Sequence, residues 1–181
     1  GEIFDCVLLA SNVIDQLIAE GKLLAGSRVD LVHSGVSVVV KSGAAKPDIS
    51  TEQGLMHAVR DAGSIGYSTG PSGTHLMKLF ERWGIADEIK PRIVQAKPGV
   101  PVGSLVAKGE IALGFQQLSE LINLSGVEII GPLPPGTQTI TTFSGGVTSA
   151  SAHAQVVREM LAYFASPQTA EAKRKNGMDP A

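Results

Sequence analysis

Apolar positions along the chain follow two periods in turn. "DCVLLA" (Asp5 to Ala10) is a continuous apolar run that reads as a fully buried strand, and in "SNVIDQLIAEGKLL" Val13, Ile14, Leu17 and Ile18 recur at helical spacing. Ser11 or Asn12 is the expected N-cap of that helix, and Gly21 or the region of Gly26 its stop. "VDLVHSGVSVVVK" is a second β-branched run, interrupted by His33, Ser34 and Gly35. A loop, "SGAAKPDIS", leads to a helix with Leu55, Met56 and Val59 on one face, capped by Ser50 or Thr51. "SIGY" is a short strand. After "STGPSG" a helix turns Leu76, Leu79, Phe80 and Trp83 toward a core until Gly84 stops it.

The pattern continues with a strand in "RIVQA", a turn and helix in "GVPVGSLVAKGE" and a strand in "IALGFQ". This βα alternation predicts an α/β protein with mostly parallel sheets. "VEIIGPLPPGTQTITTFSGGVT" changes character: its prolines make a connection, and a long Thr-rich strand follows. Two helices close the chain. Val156, Val157, Met160, Leu161 and Phe164 line the first, and Ser166 and Pro167 take the Ncap and N1 places of the second. Gly177 ends it after "KRKN", whose basic residues lie at the negative end of the helix dipole.

A chain of 181 residues that is 43% hydrophobic is enough for one large domain or two small lobes. A net charge of −2 without a basic block, and only 4% aromatic residues, argue against a nucleic-acid surface or a polybasic membrane contact. No apolar run reaches the ~20 residues of a membrane span. Cys6 is the only cysteine, so no internal disulfide or CxxC pair is available, and it is expected to be a buried strand thiol. The opening "GEIFDC" carries no signal-like pattern and by itself reveals no compartment. The four histidines, His33, His57, His75 and His153, are scattered without HxH or HExxH spacing, which makes a metal site a poor expectation, and no cofactor is indicated. Asp87 and Glu88 read as the solvated end of a helix.

Strand, Gly/Ser/Thr turn and helix follow one another in "LLASNVIDQL", "GYSTGPSGTHLM" and "AKPGVPVGSLVA". Each order places free backbone N–H groups and a positive helix end at the carboxyl end of a strand, where α/β sheets bind ligands, and anions in particular. In the second turn Ser68, Thr69, Ser72 and Thr74 offer hydroxyls, while Gly70 and Gly73 allow close backbone approach. Simple capping by Ser72 or Thr74 accounts for that turn equally well. The turn matches neither GxGxxG nor GxxxxGK[ST], and it is not GxSxG.

Together, "GEIFDCVLLASNVIDQLIAEGKL", "SIGYSTGPSGTHLMKLFERWGI", "PVGSLVAKGEIALGFQQLSEL", "GPLPPGTQTITTFSGGV" and "LAYFASPQTAEAKRKNGMDPA" resemble the molybdate-binding-protein-like branch of type II periplasmic solute-binding proteins. The resemblance runs over essentially the whole chain. It implies two α/β lobes with mostly parallel sheets flanked by helices, two crossovers, a ligand cleft between the lobes, and a periplasmic or extracellular location. The first lobe is placed at residues 1–41 and 131–181 and the second at 42–130. Family members carry a strand, a helix and a second strand before the segment matching "GEIFDCVLLA". The resemblance therefore implies that part of the first lobe and its hydroxyl-bearing loops is not in this chain, and that a second chain is a possible partner completing it. Where Gln117 falls, molybdate binders of the branch have tyrosine. Gln116 and Gln117 offer amides instead, which fits a larger organic acid.

By position in the family pattern, Ser72, Gly73 and Thr74, Val102 and Gly103, and Gln116 and Gln117 face the ligand from the second lobe, with Ala10, Ser11 and Asn12 from the first. His33, Ser34 and Gly35 lie near a crossover and suit a hinge, although His33 also reads as a solvated loop residue. The implied function is capture of a small anion, a carboxylate or oxyanion, for an ABC importer. No arginine falls in the three turns, which speaks against a guanidinium fork for phosphate esters. The alternative is an enzyme like the aconitate isomerases of this branch, which move a proton across an allylic tricarboxylate. His75 is then the candidate base, against a reading of it as a first-turn residue facing solvent.

Overall fold

The computed structural model describes residues 4–181. They form two compact units: one reaches up to Ser34 and resumes at Thr141–Ala181, the other is Gly35–Ile140. The family resemblance places the lobe boundaries at 41/42 and 130/131. In the structure they fall inside two strands, because β2 (Val29–Lys41) and β7 (Ile140–Val147) each run across a changeover without a break.

The continuous unit takes the later half of β2 and adds α2 (Glu52–Asp61), β3 (Ile65–Tyr67), α3 (Pro71–Arg82), α4 (Ala86–Ile89), β4 (Ile93–Gln95), α5 (Val102–Lys108), β5 (Leu113–Gln117), α6 (Leu118–Leu121) and β6 (Val127–Pro132). β3 pairs in parallel with β4 and β5, whereas β2 pairs antiparallel with β5 and β6. Successive side chains of a strand point to opposite faces. Accordingly Val36, Val38 and Val40 enter one core with α2 and α3, and Val39 enters another with Val102, Val106 and Leu121. A strand covered on both faces reads as an unbroken apolar run, which is why "VSVVV" shows no alternation. Phe80 of α3 anchors the first core against Tyr67, Trp83 and Phe115, with ring centroids 6.1–6.4 Å apart. Thr51 caps α2 by accepting the Gly54 N–H at 3.0 Å.

The discontinuous unit contains β1 (Cys6–Ala10), α1 (Ser11–Ala19), the first part of β2, most of β7, α7 (Ala154–Ala165), α8 (Ala170–Lys175) and β8 (Asp179–Pro180). Ser166 and Pro167 open a 3-10 turn, Pro167–Thr169, that leads into α8. β1 pairs antiparallel with β7, from Cys6 beside Val147 to Ala10 beside Phe143, and β8 pairs antiparallel with β2. The core gathers Leu31, Val147, Val157 and Leu161. Among the described residues β1 has β7 as its one neighbour, so it is an edge strand rather than a fully buried one; Leu8 is 53% and Leu9 38% exposed. Cys6 is correspondingly half-buried, and that burial pushes its thiol above the ordinary value.

The expectation of mostly parallel sheets needs correction. The parallel pairs are β3 with β4 and β3 with β5, while β1–β7, β2–β5, β2–β6 and β2–β8 are antiparallel. Alternating βα units dictate parallel neighbours only where each helix returns the chain to the same edge. In the continuous unit β2 lies against β5 and β6 in the opposite sense.

Candidate functional site

In the continuous unit, Tyr67 at the end of β3 lies beside Gln95 of β4 and Phe115 of β5. Since these strands are parallel, the turns after β3 and β4 and the residues Gln116 and Gln117 all leave from one edge of the sheet. That edge is the carboxyl end, where helix starts collect and anions find unpaired N–H groups.

The start of α3 is the most open of these. Gly70 is its N-cap, without a side-chain cap, and Pro71 occupies the first turn. Proline has no N–H, so Ser72 and Gly73 present the first N–H groups, which lack intrahelical acceptors. Ser68 Oγ accepts the Gly70 N–H at 3.3 Å and lies 3.3 Å from Ser72 Oγ. This leaves a hydroxyl pair beside the helix end. Thr69 is exposed at the tip. The structure settles the capping expectation against both residues named for it: Ser72 is buried inside the first turn, and Thr74 turns back, its hydroxyl donating to Gly70 O at 3.4 Å. Gly73 allows the close return of the chain, since a Cβ there would stand 1.8 Å from the Ser68 carbonyl oxygen.

The start of α5 is closed by the protein itself. The Gly103 N–H donates to Gln116 Oε1 at 3.0 Å, and the other end of the same amide donates to Glu120. Gln116, 2% exposed, is thus engaged at both ends, while Val102 buries its side chain in the core and keeps only its backbone at the helix start. Gly103 has no room for a Cβ, which would meet Leu124 at 2.5 Å. Gln117 is buried opposite Val36 and stands at the N-cap of α6.

His75 does not face solvent. Its ring is half-buried, with Nε2 2.6 Å from the Thr137 carbonyl oxygen, so Nε2 carries the proton and donates it. In the neutral ring Nδ1 is then the basic nitrogen.

In the other unit Ala10, not Ser11 or Asn12, is the N-cap of α1, and the two polar residues fill the first helical positions without capping it. The reason is that β1 runs directly into α1 and leaves no turn for a capping residue. His33, Ser34 and Gly35 continue β2 instead of interrupting it. His33 is a strand residue whose Nδ1 lies 3.0 Å from Thr142 Oγ1, and the changeover between units falls between Ser34 and Gly35. Among the described residues no group of three or more His, Cys, Asp or Glu side chains is placed to hold a metal.

The sequence reading overlooked Glu120 and Gln138, whose roles follow only from tertiary contacts. Gln138 pairs its side-chain amide with the backbone of Val36. Away from these turns, the Arg28 guanidinium, 2.8 Å from Asp30, together with the Ser144 hydroxyl holds the Asp30 carboxyl below the usual carboxylate range.

Comparison with known proteins identifies relatives of the chain and of its fold. The chain is 39% identical over 179 residues to the aconitate isomerase of a Pseudomonas species, a span covering 97% of this chain and 67% of that one. Its fold matches the periplasmic molybdate-binding protein of Azotobacter vinelandii at a TM-score of 0.74 and 22% identity, over 98% of this chain and 79% of that one. It also matches the substrate-binding domain of a putative molybdenum ABC transporter from Clostridium difficile at a TM-score of 0.73 and 17% identity, over 100% and 79% of the two chains. Residues 1–179 match the family described as bacterial extracellular solute-binding protein, and the chain belongs to that family.

Proposed function

We propose that the chain is the ligand-binding part of a periplasmic receptor for a small unsaturated polycarboxylate of the aconitate type, delivering it to an ABC importer. The observation that carries this reading is the start of α3, where two backbone N–H groups and the Ser68 and Ser72 hydroxyls form a neutral donor set. Such a set holds a carboxylate through the helix dipole without a counter-charge. The 39% identity to an aconitate isomerase favours a tricarboxylate over an inorganic oxyanion. The engagement of Gln116 with Gly103 supports the same preference, because it removes one donor that a compact oxyanion would otherwise use.

A thermal melt tests the proposal against cis- and trans-aconitate, citrate, molybdate, sulfate and phosphate. At ~100 times its dissociation constant the ligand adds about 2.7 kcal/mol, a rise of roughly 5–10 °C for a chain of this size. The expected result is a shift with the aconitates. A shift with molybdate or sulfate but not with the tricarboxylates overturns it. The free edge of β1 supports pairing with a further polypeptide segment, and a melting midpoint independent of protein concentration counts against a second copy in that role.

The name of the Pseudomonas relative favours a second reading, turnover, in which His75 is the base. Its Nδ1 takes the proton from the carbon next to the double bond, the electron pair spreads over the allyl system toward the carboxylate, and the same proton returns at the far end as the double bond moves. The hydrogen bond to Thr137 keeps Nδ1 the basic nitrogen. On this reading His75→Gln lowers turnover of trans-aconitate, followed by proton NMR, by about 10²-fold or more while leaving the ligand-induced melting shift in place. Unchanged turnover in His75→Gln and His75→Ala rules His75 out as the base.

A further inference from the structure

Tyr67, the last residue of β3, is 3% exposed, and its ring is held from two sides. Phe80 packs against it with centroids 6.4 Å apart, and a Cβ at Gly73 would stand 3.0 Å from Tyr67 Cδ2. The phenol oxygen therefore has a fixed position, from which its hydroxyl donates to Met77 Sδ on α3. Burial pushes the phenol above its ordinary value, so the hydroxyl keeps its proton and remains a donor. A thioether is a weak acceptor for a buried hydroxyl, and the pair thus contributes little to stability for so closely held a contact.

Met77 itself is 38% exposed and, with Tyr67, lines a cavity of about 360 Å³ in the continuous unit. Exposed Glu81, Asp87 and Lys90 form the polar rim of that cavity, which suits entry of a small polar reagent. A thioether sulfur carries two lone pairs, one on each face of its C–S–C plane. In Met77 one of them receives the phenol hydrogen, and the other is left for a reagent in the cavity. Hydrogen peroxide oxidises a thioether by oxygen transfer. The sulfur lone pair attacks one peroxide oxygen, the O–O bond breaks, and the departing hydroxide takes the proton of the transferred oxygen to leave as water. Sulfur loses two electrons, the peroxide gains them, and the sulfoxide has a new stereocentre at sulfur.

We infer that Met77 is a modification site for hydroperoxides, at which Tyr67 occupies one face of the sulfur and directs the oxygen to the other, so that one sulfoxide epimer predominates. The new oxygen faces the cavity and water, not the core between β3 and α3, and the fold accommodates it. The modification is then reversible by the reductase specific for that epimer. None of this depends on the identity of the ligand at the start of α3. Met160, 36% exposed on α7 in the other unit, and Met56, packed against the core of the continuous unit, are the references.

The test treats the folded chain with millimolar hydrogen peroxide, follows each methionine by peptide mass mapping, and assigns the epimers with the two stereospecific methionine sulfoxide reductases. Met77 is expected to react within about threefold of the rate of Met160 and about tenfold or more faster than Met56. One epimer at Met77 is expected to exceed the other by about fivefold or more, whereas the chain unfolded in urea gives near-equal amounts. Tyr67→Phe keeps the ring and removes the hydroxyl, and it is expected to bring the two epimers within about twofold of each other. Oxidation of Met77 no faster than that of Met56 overturns the inference, as does an epimer ratio near one in the folded wild type. A bias that survives unchanged in Tyr67→Phe assigns the selection to the shape of the cavity and overturns the role of Tyr67.

Discussion

Gly73→Ala is expected to lower stability by about 3 kcal/mol, roughly 6–12 °C in melting temperature for a chain of this length, and to abolish any protection by a carboxylate ligand. The added Cβ would come within 1.8 Å of the Ser68 carbonyl oxygen and 3.0 Å of the Tyr67 ring. Backbone cannot escape by changing rotamer, so either α3 moves away from β3 or the turn opens. Both displace the N–H groups of Ser72 and Gly73. Gly70→Ala is the matched control. Its Cβ meets only Ser68 Oγ, at an ordinary 3.5 Å, and the loss there should stay under about 1 kcal/mol. Equal melting temperatures for Gly73→Ala and wild type would mean that the close return of the chain at this turn is wrong.

The second large effect has the opposite sign. Lys173 is 8% exposed on α8, and its Nζ is a buried side-chain nitrogen with no hydrogen-bond partner among the described residues. Burial pushes its ammonium below the ordinary lysine value. The unfolded chain therefore binds this proton more tightly than the folded one. Stability rises with pH between the lowered folded value and the ordinary one, and at neutral pH the full penalty is present. Lys173→Met keeps most of the volume and removes the charge. It should raise stability by about 1–3 kcal/mol at pH 7, with the gain shrinking as the pH approaches 10 in melts of the two proteins side by side. A gain independent of pH would point to packing instead of the unpaired charge.

The same lysine shows where the sequence is a poor guide. In "AEAKRKNG" three basic residues ahead of a glycine read as a solvated helix end, and Arg174 and Lys175 are exposed as that reading requires. Only the docking of a helix as short as α8 decides that Lys173 turns inward. Local signals fare better. The change from strand to helix at Tyr67–Pro71 is legible because period, turn residues and the N1 proline all lie within a few positions. Strand direction is not, since a βα alternation has the same appearance whether the returning strand lies parallel or antiparallel. The long-range polar contacts are equally silent: Gly103 with Gln116, His75 with Thr137 and Val36 with Gln138 join residues 13, 62 and 102 positions apart. Each depends on the register of strands that have first to pair. For that reason the residue types at the start of α3 are readable in advance, whereas the engagement of Gln116 is not.

The interleaving of the two units fixes an order of assembly. β2 finds β5 and β6 within the continuous stretch Gly35–Ile140, but β1 waits for β7, whose Phe143 pairs with Ala10. At translation rates of about 5–20 residues per second, the intervening chain takes on the order of ten seconds to make. During that interval β1 lacks its β7 partner, so the newborn chain is most exposed to chaperone capture or mispairing before its last quarter leaves the ribosome. Synonymous changes that slow decoding between β6 and β7 should therefore lower the soluble yield without altering the finished protein.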